Sequence, residues 1–411
     1  MSARAALWLA RAAAWSLLLG GWLTFGTLGL FWAPRAEWAF APLALWLLGI
    51  GAVLGWSRKR VWTQGIGALA VMFGAAGSAG GVWAAMHGGG WLAVLAAAPC
   101  ASVLLVAASR TVRSLRVGQV ASGDRARCDT GGAASASGSL PADRCASPAG
   151  PALAGALTVA LLFADPADPQ AAAAAASALW LVAAGLLAGL PWVAGAGTRG
   201  IGLRSASAGG CRPALFDCSL PGPGPWHTAG AARFAMLPAM ASLSWTLAWC
   251  QGTKGAPQAM LALHLAAMFL PAFVVQTLPQ RWRGGMPLAA MASAAMVAGA
   301  LALWNADPLR ALLGAALLQG LAWSLSWLAL LSPARPQAPM LPKERMAASA
   351  AAPSGLPGAL LNATPVLLLG AALGHFGLQA LVAVHAALGL WAGIGLVKGR
   401  WMLPIVAAAQ R

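Results

Sequence analysis

Tyrosine is absent from the 411 residues, histidine occurs five times, and only nine residues are acidic. Charge of either sign is scarce: Asp, Glu, Lys and Arg together make up 9% of the chain, against roughly 25% in a soluble domain. So few charges cannot cover the water-facing surface of a protein this size, which excludes a soluble enzyme. A chain that is 60% hydrophobic, with a mean hydropathy of +0.73, is not a disordered one either. What remains is a polytopic all-α membrane protein. The net charge of +17 suggests nucleic acid at first sight, but the placement of the basic residues argues otherwise.

A membrane helix needs about 20 mostly apolar residues. Such stretches lie near 13–32, 38–56, 61–85, 90–109, 149–164, 172–195, 232–250, 257–278, 285–304, 308–331, 355–374 and 376–397. The fifth is short and stops at Asp165-Pro166, and only Gly374-His375-Phe376-Gly377 separates the last two. With the N-terminus in the cytoplasm, the cytoplasmic segments hold every basic residue except Arg35, Lys254 and Arg310. That asymmetry is what the positive-inside rule demands, and a miscount would scramble the alternation. Both termini are therefore expected in the cytoplasm, with a retained first helix and twelve spans. The arginines read as anchors on anionic inner-leaflet lipid, and a nucleic-acid partner is not expected. Trp22, Trp32, Trp38, Trp56, Trp62 and Trp304 fall near span ends and read as interfacial anchors.

The spans divide into residues 1–196, a Gly-, Pro- and Ser-rich cytoplasmic linker at 197–231, and residues 232–411. Two six-helix bundles joined this way resemble the major facilitator superfamily, whose substrate crosses between the halves near the midplane. Gly55-Trp56-Ser57-Arg58-Lys59-Arg60 stands where that superfamily has a Gly- and Arg-rich turn, but without its aspartate. The segments 110–148 and 332–354 read as cytoplasmic loops.

All nine acids, Glu37, Asp124, Asp129, Asp143, Asp165, Asp168, Asp217, Asp307 and Glu344, are expected in loops. No span then offers a carboxylate to relay protons or to hold a hard cation. The spans offer soft donors instead. The seventh contains Arg233-Phe-Ala-Met236-Leu-Pro-Ala-Met240, and the eighth Met260-Leu-Ala-Leu-His264-Leu-Ala-Ala-Met268. Residues four apart share a helix face. Thioether and imidazole favour Cu(I), and both are neutral without metal. Methionine is also an ordinary core filler, and a lone buried histidine an ordinary interhelical donor. Two such pairs on successive spans make packing alone a weaker account.

Met-x-x-x-Met followed by His-x-x-x-Met resembles the CcoA-like copper importers of the major facilitator superfamily, which supply copper for assembly of cbb3-type cytochrome c oxidase. The resemblance implies Met236, Met240, His264 and Met268 as copper-binding positions. It also brings in Cys250, at the outer end of the seventh span, because family members use cysteines there. A second cysteine upstream of Met236 is lacking, with Thr228 in its place. It further implies a bacterial inner-membrane protein that is no enzyme and has no prosthetic group, with copper as cargo. Its partners would be the lipid bilayer and a cytoplasmic copper chaperone or exporting ATPase. At about 1.5 Å per residue, straight helices cannot close all four ligands on one ion. A ladder is expected, His264 outermost, Met240–Met268 in the middle and Met236 innermost, compressed by kinks at Pro238 and Pro271.

The remaining donors read more plainly. His375 and His385 suit interhelical hydrogen bonds, His87 beside Met86 a solvated turn, and Cys128, Cys145, Cys211 and Cys218 free cytoplasmic thiols. Two rival functions stand beside copper import. One is a related importer of an organic nutrient such as riboflavin, and the other a respiratory-complex assembly factor that moves no substrate.

Overall fold

The structure, a computed structural model, describes residues 3–58, 64–129, 141–163, 165, 168–193, 256–303, 308–331 and 356–409. Its elements are α1 (Ala3–Trp32), α2 (Ala41–Arg58), α3 (Gln64–Ala84), α4 (Gly90–Asp129), α5 (Pro141–Leu162), α6 (Pro169–Val193) and α7 (Ala256–Phe269). After them come α8 (Gly285–Ala302), α9 (Pro308–Leu331), α10 (Leu356–Phe376) and α11 (Leu378–Ala409). No strand occurs among the described residues. Described helices occupy eleven of the twelve predicted stretches, and the seventh stretch lies outside the described residues.

Among the described residues, seven helical runs are long and apolar enough to cross a bilayer. One of them, Gly65–Leu115, contains both α3 and α4, while Gly150–Leu162, Ala363–Phe376 and Val382–Val397 are shorter apolar helices. Leu69, Phe73, Leu92, Leu161 and Leu368 are all largely exposed on the outside of the bundle. In water such a surface would aggregate; in lipid it is the natural exterior. This is a multi-pass membrane protein.

Helices satisfy the backbone internally, as lipid requires, and hydroxyl side chains follow the same rule. Thr24 donates to the Gly20 carbonyl at 2.7 Å and Ser326 to that of Ala322 at 2.6 Å. Other hydroxyls reach across helices: Ser16 to Gly155 O (3.3 Å), Ser102 to Trp46 O (2.7 Å) and Ser293 to Gly389 O (3.1 Å). These bonds tie α1 to α5, α4 to α2 and α8 to α11. α1 packs against α2, α4, α5 and α6, whereas α8 packs against α9 and α11, and α9 against α7. The first six helices meet the later ones where α2 and the turn Ala36–Trp38 pack on α10, and where α5 packs on α7. Gly370 and Gly374 of α10 allow the first of these contacts, since a Cβ at either would press on Glu37.

Several local expectations need correcting. α4 does not end at the membrane but stays helical for 40 residues, to Asp129, and α5 already begins at Pro141. At 1.5 Å per residue α4 is about 60 Å long, twice the hydrocarbon thickness of about 30 Å. The charges that end an apolar run do not end a helix. Asp124, Asp129 and Asp143 consequently stand on helical backbone rather than in loops. Trp22 is no interfacial anchor: it stands at the middle of the 13–32 stretch and is buried, edge-on to Trp46 at 5.8 Å. Between α3 and α4 the chain turns through Ala85–Gly89, where Gly88 (φ 104°) and Gly90 (φ 51°) adopt left-handed backbone that favours glycine. Asp168 caps α6, accepting from the N–H groups of Gln170 (3.0 Å) and Ala171 (3.2 Å).

Candidate functional site on the buried face of α7

α7 reads Ala-Pro-Gln-Ala-Met-Leu-Ala-Leu-His-Leu-Ala-Ala-Met-Phe. Met260, Leu261, His264, Leu265, Met268 and Phe269 are buried, while Gln258, Ala259 and Ala262 are exposed. The helix therefore turns its thioethers and imidazole inward. It ends where Pro271 lacks the N–H that would continue the i to i−4 ladder. Beyond it the Phe273 N–H bonds one residue short of that register, to Leu270 O at 2.9 Å, in a four-residue turn, Pro271–Val274.

His264 is 1% exposed. Its Nδ1 lies 2.7 Å from the backbone oxygen of Ala316 on α9. A carbonyl only accepts, so Nδ1 carries the proton, and the lone pair of the neutral ring is on Nε2. Nε2 is buried and has no hydrogen-bond partner among the described residues. An unsatisfied buried polar atom costs about 1–3 kcal/mol. Metal-ligating histidines commonly donate the other ring N–H to a backbone carbonyl in this way, which fixes the tautomer and the orientation of the ring. Ala316 and Gly320 form a small-residue edge on α9 that admits this contact. A Cβ built at Gly320 would lie 2.6 Å from His264 O, 2.9 Å from Ala267 Cβ and 3.3 Å from Met268 N.

Of the five metal positions expected, the structure places His264 and Met268 one turn apart on this buried face. Met236, Met240 and Cys250 lie outside the described residues, as do Cys211 and Cys218. Sequence reasoning missed Met260, which is fully buried one turn before His264. The signal was present, since Met260 is the i−4 neighbour of a residue already singled out. Met260, His264 and Met268 thus stand on three successive turns of the buried face. Among the described residues no three of His, Cys, Asp and Glu gather into a cluster, so a cation held here would depend on thioethers.

Aromatic rings close the C-terminal end of the row. Trp15 of α1 meets Phe269 edge-on at 5.4 Å and Trp323 of α9 at 6.4 Å, and Phe269 and Trp323 are 5.9 Å apart. Trp327 stacks on Trp323 at 6.1 Å and 5°. These rings join the first helix of the chain to two helices of its second half.

The other candidates stand apart. His87 is exposed, stacked on Trp83 at 4.2 Å, with Nδ1 donating to Trp83 O at 2.9 Å. His375 is exposed at the end of α10 and His385 is buried in α11. Ser57, near the end of α2, is buried and accepts from Arg110 Nη2 at 2.8 Å, joining α2 to α4.

No protein-family model matches the chain, and no curated protein matches it in sequence. In three dimensions it is similar to the crystal structure of the nucleoside transporter NupG, with TM-score 0.60 and 12% identity. The match covers 98% of this chain and 99% of that one. At that identity the likeness concerns the fold, over its whole length. The chain shares the fold of that structure.

Proposed function

We propose that this chain is an alternating-access transporter that imports copper, as Cu(I), across the bacterial inner membrane for cuproenzyme assembly, with cbb3-type cytochrome c oxidase the intended recipient. The observation that carries the reading is the bare Nε2 of buried His264, with Nδ1–H fixed on Ala316 and Met268 on the same face. Soft neutral donors of this kind select Cu(I) over hard cations, and they bind weakly enough to release it. Copper is cargo, no bond is made or broken, and a cytoplasmic chaperone or exporting ATPase receives the ion.

One observation favours a second reading. Trp15, Phe269, Trp323 and Trp327 cluster at the C-terminal end of the same helix, α7, and flat rings with one hydrogen-bond acceptor suit an aromatic organic nutrient such as riboflavin.

His264→Gln separates the two. The glutamine amide can donate to Ala316 O and still present an oxygen acceptor, but that oxygen is a hard ligand for Cu(I). In cells expressing wild type, His264→Gln and Met268→Ala, radioactive copper and labelled riboflavin uptake are measured side by side. The copper reading expects both variants to lose copper accumulation. Copper uptake unchanged in both, with riboflavin uptake present, overturns it in favour of the nutrient. No uptake of either solute, even by wild type, points to an assembly factor.

A further inference from the structure

Met260, His264 and Met268 occupy successive turns of one buried face, with exposures of 0%, 1% and 3%. We propose that Met260 is the outer member of a two-position soft-metal track, in which His264 Nε2 serves first the Met260 thioether and then that of Met268. The inference rests on the copper reading and adds to it a ligand and an order of transfer.

Helical geometry sets the spacing. Four residues at about 1.5 Å each put His264 about 6 Å from either methionine along the axis, and the two methionines about 12 Å apart. Every side chain on a helix leans toward its N-terminus, so the three keep that spacing rather than converging on one point. Of the two α7 thioethers, an ion beside His264 therefore has one within reach at a time. The imidazole cannot turn over to offer Nδ1, because that nitrogen donates to Ala316 O at 2.7 Å. Nε2 carries one lone pair and so holds one ion. His264 becomes the shared partner of two half-sites, and an ion moves between them by exchanging one sulfur for the other.

Burial also separates this row from a general apolar surface. On the opposite face of α7, Gln258, Ala259 and Ala262 are exposed, so the helix spends its two methionines and its histidine on the inward stripe. Phe269, next along from Met268, abuts Trp15 and Trp323. The track is thus closed by aromatic rings at its C-terminal end, and Met260 occupies the end away from them.

The test uses the purified full-length protein under reducing conditions, with Ag(I) as the redox-inert probe and a chromogenic chelator in competition. Met260→Leu keeps volume and removes sulfur, and Met260→Ile is a second sulfur-free variant should the first fail to give folded protein. Met268→Leu and His264→Asn are measured alongside, with gel-filtration profiles as the check on folding. The proposal expects the Met260 variant to weaken Ag(I) binding roughly tenfold or more, the scale on which even outer-shell partners of metal ligands act. It also expects a raised KM for copper uptake in cells. X-ray absorption of the Ag(I)-loaded wild type should show both sulfur and nitrogen ligation. A Met260 variant that binds and transports like wild type, while His264→Asn and Met268→Leu fail, overturns the track and leaves the copper reading in place. If none of the three variants alters binding or uptake, the copper reading falls and the track falls with it.

Discussion

Gly320→Ala tests whether the close approach of α9 to α7 holds the imidazole in place. The new methyl would sit 2.6 Å from His264 O, whereas a carbon–oxygen contact needs about 3.3 Å. Backbone cannot rotate away as a side chain can, so the helices must separate locally by about 0.7 Å. Adding that to the 2.7 Å between His264 Nδ1 and Ala316 O stretches the bond to about 3.4 Å, beyond the range of an N–H···O hydrogen bond. Overpacking of this kind costs about 1–3 kcal/mol, and the lost hydrogen bond about 1 kcal/mol more. Thermal unfolding of the detergent-purified protein, followed by tryptophan fluorescence, should show a clear fall in melting temperature. Copper uptake per folded molecule should fall with it, because the freed ring no longer presents Nε2. Gly185→Ala is the control: it makes the same change in α6, where nothing lies within 4 Å of the new carbon. There the melting temperature should hold or rise, since alanine is the better helix former by about 0.5–1 kcal/mol. If Gly320→Ala melts and transports like wild type, the argued link between helix approach and ring position is wrong.

Three further outcomes are expected. Asp168→Ala removes the cap that accepts from Gln170 and Ala171 and should lower stability by about 0.5–2 kcal/mol, read as a lower melting temperature with uptake per folded molecule unchanged. Ser57→Ala takes away the buried acceptor of Arg110, a bond to a charged donor worth about 1.5–3 kcal/mol, and Ser57→Asp should restore stability in the same melting assay. Trp323→Ala removes the ring shared by Trp15, Phe269 and Trp327; a thiol reagent applied from the cytoplasmic side should then label Met268→Cys faster than it does in the parent with Trp323 intact.

Apolar run length alone located eleven of the described helices, because the hydrocarbon thickness imposes one dimension on every crossing. The same signal fails outside the hydrocarbon. α4 continues to Asp129 past Arg110, Arg113 and Arg116, because arginine is a good helix former and no glycine pair intervenes before Gly131-Gly132. Trp22 was misplaced for a different reason: it stands at the middle of the 13–32 stretch, far from either end of α1, and side-chain type alone does not tell a core tryptophan from an interfacial one. His264 and Met268 were readable from spacing, and so was Met260. The Ala316 carbonyl was not, since it is 52 residues away and any backbone oxygen could have served. Only packing selects that partner, through a glycine whose want of a side chain has no meaning until α7 lies across it.

The polar atoms of the bundle show why the imidazole stands out as a cargo contact. Hydroxyl groups such as Ser16, Thr24, Ser102 and Ser326 are consumed by carbonyls of their own or neighbouring helices. The indole nitrogens of Trp32 and Trp46 and the amide nitrogen of Gln319 are buried without acceptors, but each is an N–H donor and useless to a cation. Nε2 of His385 is buried too, but no methionine stands one turn from it in α11, whereas two flank His264. Its proton is committed to Ala316, so what it turns to the interior is a lone pair, flanked one turn above and one turn below by sulfur. A donor-rich solute could use that lone pair once, as a hydrogen-bond acceptor, and would have no use for the thioethers. The proposed soft cation would use all three donors, and use them in sequence.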